Sequence, residues 1–252
     1  MTRPLADLHV AVLLGGLSSE REVSLSSGKG CADALEAQGA RVTRVDAGRD
    51  LAQVLAALKP DVVFNALHGH YGEDGCAQGV LETLGIPYTH SGVLASALAM
   101  DKSRSKAVLK AAGVVVPGGG LFDRFEVARR HVIPPPYVIK PNAEGSSVGV
   151  YVVMEGANRP VADLAEDSWT YGDQVMVEPF IAGKELAVTV LGEATGPRAL
   201  TITDITPTKG FYDYEAKYAV GGSVHVLPAV LPPQVFERAL RQSELAHTAM
   251  GC

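Results

Sequence analysis

Five short segments of this 252-residue chain carry residue types that could do chemistry. The most telling is Tyr137-Val138-Ile139-Lys140-Pro141, followed by Glu144-Gly145-Ser146-Ser147-Val148-Gly149. A strand that ends in a lysine and opens into small residues lets backbone N–H groups and two hydroxyls close around phosphate oxygens, with Lys140 as fixed charge. It is not a Walker loop, because GxxxxGK[ST] is missing and the lysine precedes the glycines. An ordinary glycine-serine hairpin is the competing reading. Downstream, Glu178-Pro179-Phe180-Ile181 offers a carboxylate and an apolar linker backbone, which suit an exocyclic amine and an adenine edge, and Glu185 suits ribose hydroxyls. A charged strand end explains the same residues without a ligand.

Two further segments lie early in the chain. In GGLSSEREVSL (residues 15–25) the turn lacks GxGxxG, and Glu20 and Glu22 stand where a phosphate would want positive potential. A carboxylate there suits a cationic group such as a substrate ammonium, or it stabilises the helix start. HGHYGEDG (residues 68–75) packs glycines, histidines and acids into one tight loop, where His68 could orient a substrate carboxylate or hydrogen-bond Glu20. No third ligand at metal spacing supports a metal site. The last segment, FYDYEAKY (residues 211–218), follows Gly210 and reads as a mobile functional loop, with Lys217 and Tyr218 able to reach a reacting centre. A solvated loop with aromatic packing is the alternative.

These segments need elements to hold them. His9–Leu14 is an apolar run ending at Gly15-Gly16, as in a buried parallel strand. A helix over Ser24–Gln38 with Gly39 at its C′ position follows, then a strand at Arg41–Val45, a helix at Leu51–Leu58 stopped by Pro60, and a strand at Asp61–Leu67. This alternation predicts an open parallel sheet with active groups at the strands' C-terminal ends. Beyond a helix capped by Asp101 and a Pro117-Gly118-Gly119-Gly120 linker, strands come closer together: Tyr137–Lys140, Val148–Val153, Val175–Glu178, Glu185–Leu191 and Ala199–Asp204. That spacing predicts antiparallel pairing and an α+β region. Pro232 and Pro233 open a final helix ending at Met250.

Composition narrows the class. With 47% hydrophobic and 20% charged residues the chain is globular rather than disordered. A net charge of −6 argues against a general polyanion binder, so no nucleic-acid partner is expected. Cys31, Cys76 and Cys252 have neither CxxC nor Cys/His spacing. No apolar run approaches the roughly 18 residues of a membrane span, so a cytoplasmic protein without a membrane partner is expected.

Taken in order, LLGGLSSEREVSL, ALHGHYGEDG, SGVLASALAMDKSRSK, VIKPNAEGSSVGV and FYDYEAKY resemble the signatures of D-alanine:D-alanine ligases of the ATP-grasp superfamily, across essentially the whole chain. The resemblance implies an ATP-grasp fold of mixed α/β and α+β class. Its lobes would be an N-terminal Rossmann-like parallel-sheet domain (1–95), a central subdomain (96–180) and an incomplete C-terminal subdomain (181–252). It implies ATP and Mg²⁺ (or Mn²⁺) as cofactors, D-alanine as substrate, a homodimer, and D-alanyl-D-alanine made through a D-alanyl phosphate for peptidoglycan. Glu20 resembles the family's carboxylate near the ammonium of the first D-alanine, and Ser146 the serine linking it to the catalytic tyrosine, here Tyr218. Lys102, Lys140 and Ser147 match nucleotide-phosphate positions. Glu178, the Phe180-Ile181 backbone and Glu185 would surround adenosine. Lys217 matches the loop lysine facing the phosphoryl group and second substrate, and His68 a substrate position. Pro179 departs from the lysine of many members, which matters little if only its carbonyl is used. The metal ligands implied by the resemblance lie beyond Cys252, so no metal ligand is assigned and the chain alone is not expected to complete the reaction.

Overall fold

The computed structural model describes residues 3–157 and 160–252. Two compact units divide the chain, the first running to Ala99 and the second from Met100 to Cys252. The first unit is built on three parallel strands, β1 (His9–Leu14), β2 (Arg41–Asp46) and β3 (Val62–Asn65), in the order β2-β1-β3. Every residue of β1 is buried, as a central strand covered on both faces requires. Helices α1 (Arg21–Ala37), α2 (Leu51–Leu58) and α3 (Cys76–Leu84) provide that cover, and α4 (Val93–Met100) follows.

α1 fully buries Ser24, Gly28 and Ala32, a stripe of small residues at i, i+4 and i+8, while Leu35 packs half-buried beside them. A Cβ at Gly28 would collide with the Leu14 side chain, so the helix axis can approach β1 closely. Ser24 Oγ then donates to the buried Ala66 carbonyl at 2.7 Å. This close seat fixes the start of α1, where Glu20 stands.

The second unit opens with α5 (Lys102–Ala111), capped by Asp101, whose carboxylate accepts the Arg104 N–H at 3.0 Å. A four-stranded antiparallel sheet follows, in the order β4-β7-β5-β6, from β4 (Gly120–Asp123), β5 (Tyr137–Pro141), β6 (Tyr151–Val153) and β7 (Gln174–Pro179). Tyr137, Ile139, Val175 and Val177 point into one core with Val127 of α6 (Arg124–Arg129) and Trp169. A second antiparallel sheet, β8 (Glu185–Glu193), β9 (Gly196–Pro207) and β10 (Ser223–Val226), runs in the order β10-β9-β8 and is covered by α8 (Pro233–Met250). Gly251 ends α8 in the left-handed conformation.

Most sequence expectations meet an element within a few residues. The FYDYEAKY stretch differs: Tyr214–Tyr218 forms a helical turn, α7, rather than a loop. Asp213 accounts for it, since its carboxylate accepts the Ala216 N–H at 2.8 Å.

Candidate functional site

The β5–β6 connection, residues 142–150, carries the glycine-serine candidates of the second unit. Its first part is latched to the start of α5. Asn142 accepts from the Lys102 N–H through its carbonyl and from the Ser103 N–H through its side chain, each at 3.0 Å. Lys102 Nζ then donates to the Glu144 carbonyl at 2.5 Å. Its pKa lies below the ordinary lysine value, chiefly by burial and then by the nearby Lys140 ammonium. Ser146 and Ser147 both take positive φ, a conformation non-glycine residues seldom adopt outside functional turns. Their hydroxyls are held from outside the loop: Ser146 Oγ lies 2.6 Å from Tyr218 Oη, and Ser147 Oγ donates to the Tyr212 carbonyl at 3.0 Å.

A cavity of about 360 Å³ opens between this loop and the sheet. Lys102, Lys140, Ser146, Ser147, Glu178 and Lys217 all line it, so six of the sequence-derived candidates converge on one space. Phe180, Ile181, Glu185 and Tyr218 are not part of its wall. The Phe180 N–H is taken by the Pro136 carbonyl at 3.0 Å, so a backbone donor to a ligand edge would have to come from Ile181. Lys217 Nζ stands 5.3 Å from the Tyr212 ring centroid.

Glu178, with only 6% of its side chain exposed, is gripped on both oxygens. Lys140 Nζ meets Oε2 at 2.5 Å, and Lys106 Nζ meets Oε1. Burial alone would raise the Glu178 pKa, but the two ammonium groups outweigh it and hold the carboxyl below its ordinary value. Lys106 escaped the sequence reading. Its signal was present, since Lys102 and Lys106 are four residues apart on one helix and therefore share a face.

In the first unit the HGHYGEDG loop closes on itself at the C-terminal end of β3. The Gly72 carbonyl accepts from the buried amides of Asn65 (3.0 Å) and Gln78 (2.9 Å). Glu73 accepts the Gly69 N–H at 2.8 Å, and burial raises its pKa. Asp74 accepts the Tyr71 and Cys76 N–H groups at 2.9 and 3.1 Å. Burial would raise its pKa, yet those donors keep it below the ordinary value. Glu20 is 2% exposed and its Oε2 would lie 2.9 Å from a Cβ placed on Gly69, so the carboxylate rests against the loop backbone. His68 Nε2 lies 3.3 Å from Ser27 Oγ, and His68 also lines a largely apolar cavity of about 230 Å³ between α2 and α3.

The second unit thus gathers lysines, serine hydroxyls and a buried carboxylate around one cavity, and similarity to known proteins identifies the family. The profile described as "D-ala D-ala ligase C-terminus" matches residues 125–252, and that described as "D-ala D-ala ligase N-terminus" matches residues 44–91. The D-alanine--D-alanine ligase of Caulobacter vibrioides is 70% identical over 99% of this chain and 77% of its own length. The chain belongs to the D-alanine–D-alanine ligase family.

Solved members of this family share the fold. A crystal structure of the D-alanine--D-alanine ligase from Bacillus anthracis superposes with a TM-score of 0.78 at 30% identity, covering 97% of this chain and 79% of that one. The Bacillus anthracis ligase complexed with ATP gives 0.76 at 27% identity, covering 97% and 78%. The ATP-grasp ligase architecture is therefore that of this chain too. Among the described residues no three His, Cys, Asp or Glu side chains converge to hold a metal ion. No helix among them is long and apolar enough to cross a membrane.

Proposed function

We propose that the protein joins two D-alanine molecules into D-alanyl-D-alanine, converting ATP to ADP and phosphate, as a cytoplasmic step towards peptidoglycan. The observation that carries this reading is the cavity in which three lysines, two serine hydroxyls and a buried glutamate meet, in a chain of this family. Lys102, Lys140, Lys217 and Ser147 fit triphosphate oxygens, because phosphoryl transfer needs charge neutralisation and alignment more than covalent help. Glu178 accepts from the exocyclic amine of adenine, the Phe180-Ile181 backbone lies along the base, and Glu185 takes the ribose hydroxyls. Mg²⁺ or Mn²⁺, brought with the nucleotide phosphates, would supply charge neutralisation for the transferring group.

Glu20 receives the ammonium of the first D-alanine and His68 orients its carboxylate. An oxygen of that carboxylate attacks the γ-phosphorus and the bond to ADP breaks, giving D-alanyl phosphate. The amine of the second D-alanine attacks the carbonyl carbon, the C–N bond forms, and phosphate leaves with the bonding pair while the amine loses a proton. Tyr218, set by Ser146, stands at the reacting centre, and Lys217 faces the phosphoryl group. Residues 1–95, 96–180 and 181–252 act as the three lobes of the enzyme, which works as a homodimer.

The test is phosphate release by the intact protein with ATP and Mg²⁺. D-Alanine should stimulate it, L-alanine should not, and D-lactate should not replace the second D-alanine. Equal rates with L-alanine would end the ligase reading.

A further inference from the structure

Lys106 does not line the cavity, yet three contacts fix it beside the group that reads the nucleotide base. Its ammonium meets Glu178 Oε1, donates to the Gly118 carbonyl at 2.9 Å, and lies 3.9 Å from Met176 Sδ. The Gly118 segment is itself immobilised. Gly119 has φ +90°, and any side chain there would run into the Val177 carbonyl, so this linker is pressed on the strand that carries Glu178. A desolvated carboxylate pairs with whatever cation it can reach. With Lys140 as its sole partner, Glu178 could rotate both oxygens onto that ammonium and lose the fixed orientation that a directional hydrogen bond to a base requires.

We infer that Lys106 is a positioning residue for nucleotide selection: by holding one oxygen of Glu178 it fixes the acceptor that reads the adenine amine. This rests on the proposed role of Glu178. A carboxylate so fixed accepts from the 6-amino group of adenine. It repels the 6-oxo group of hypoxanthine, which presents an acceptor at the same place. The 18% exposure of the Lys106 side chain keeps solvent from substituting for it.

Equilibrium binding of ATP and ITP to the intact protein tests this, with Lys106→Met, Lys106→Arg, Glu178→Gln and the Lys106→Met/Glu178→Gln double variant. A charge-assisted hydrogen bond corresponds to a loss of about tenfold or more, so Lys106→Met should weaken ATP by that factor and leave ITP nearly unchanged. Lys106→Arg should restore most of the preference for ATP. In the Glu178→Gln background, Lys106→Met should change the ATP-to-ITP ratio no further. Should Lys106→Met fold poorly, Lys106→Gln, able to keep the Gly118 hydrogen bond, replaces it. Equal weakening of ATP and ITP would make Lys106 a structural residue and overturn the inference. A collapsed ratio in Glu178→Gln with an intact ratio in Lys106→Met would overturn it while sparing the role of Glu178. A full ATP preference in Glu178→Gln would remove both.

Discussion

Replacing Glu20 by glutamine should impair the use of D-alanine and leave nucleotide binding intact. Glu20 is 2% exposed, so an ammonium paired with it would be removed from water. Its backbone is fixed as well: the Glu20 N–H donates to Ser18 Oγ at 3.2 Å, and that hydroxyl donates to the His68 carbonyl at 2.7 Å. Glutamine keeps the shape and loses the charge. Breaking a buried ion pair from one side costs about 3–5 kcal/mol, or roughly two to three and a half orders of magnitude in kcat/KM for D-alanine. ATP affinity should change less than about twofold, because every nucleotide candidate belongs to the second unit. Gly69→Ala should act in the same direction, since its methyl would press on the Glu20 carboxylate and its φ of +67° is strained for alanine. Steady-state kinetics with D-alanine varied, beside direct ATP binding, separates the two quantities. A Glu20→Gln protein that lost ATP affinity while keeping its KM for D-alanine would refute the reasoning.

Three other outcomes are expected. Tyr218→Phe removes the 2.6 Å link to Ser146 at a residue that is 43% exposed, so kcat should fall by about tenfold, the worth of one hydrogen bond, with an unchanged melting temperature; unchanged kcat would exclude Tyr218 from the reacting centre. Gly119→Ala combines a left-handed backbone with a clash on the Val177 carbonyl and should destabilise by about 2 kcal/mol or more, lowering the melting temperature by roughly 4–8 °C. Because Glu178 has a lowered pKa, its contribution to stability is present above the ordinary carboxylate value of 4.5 and is lost as pH falls through its folded value; the gap in melting temperature between the protein and Glu178→Gln should therefore narrow in acid, and a constant gap would contradict the ion-pair account.

The elements that carry the site were largely legible because they obey local rules. β1 is an unbroken apolar run, Asp101 and Gly251 are recognisable caps, and Pro233 opens α8 at the expected place. The packing of α1 was only partly legible by polarity, since its fully buried positions are Ser24, Gly28 and Ala32, which close approach rather than hydrophobicity selects. The helical turn at Tyr214–Tyr218 was missed because one aspartate cap outweighs a run that otherwise reads as loop. Six lysine, serine and glutamate candidates could be named from motif types, and tertiary folding was needed to show that they share a cavity. Lys106 was missed for the same reason, because its partner Glu178 is 72 residues away in sequence.

The most direct test of D-alanine ligation through an acyl phosphate follows the oxygen. D-Alanine labelled with ¹⁸O at both carboxylate positions is incubated with ATP, Mg²⁺ and the intact protein, and the products are weighed by mass spectrometry. Attack of a carboxylate oxygen on the γ-phosphorus, followed by attack of the second amine on carbon, moves one labelled oxygen into inorganic phosphate for each D-alanyl-D-alanine formed, beside unlabelled ADP. Label appearing in AMP, or dipeptide formed with unlabelled phosphate, would contradict the account.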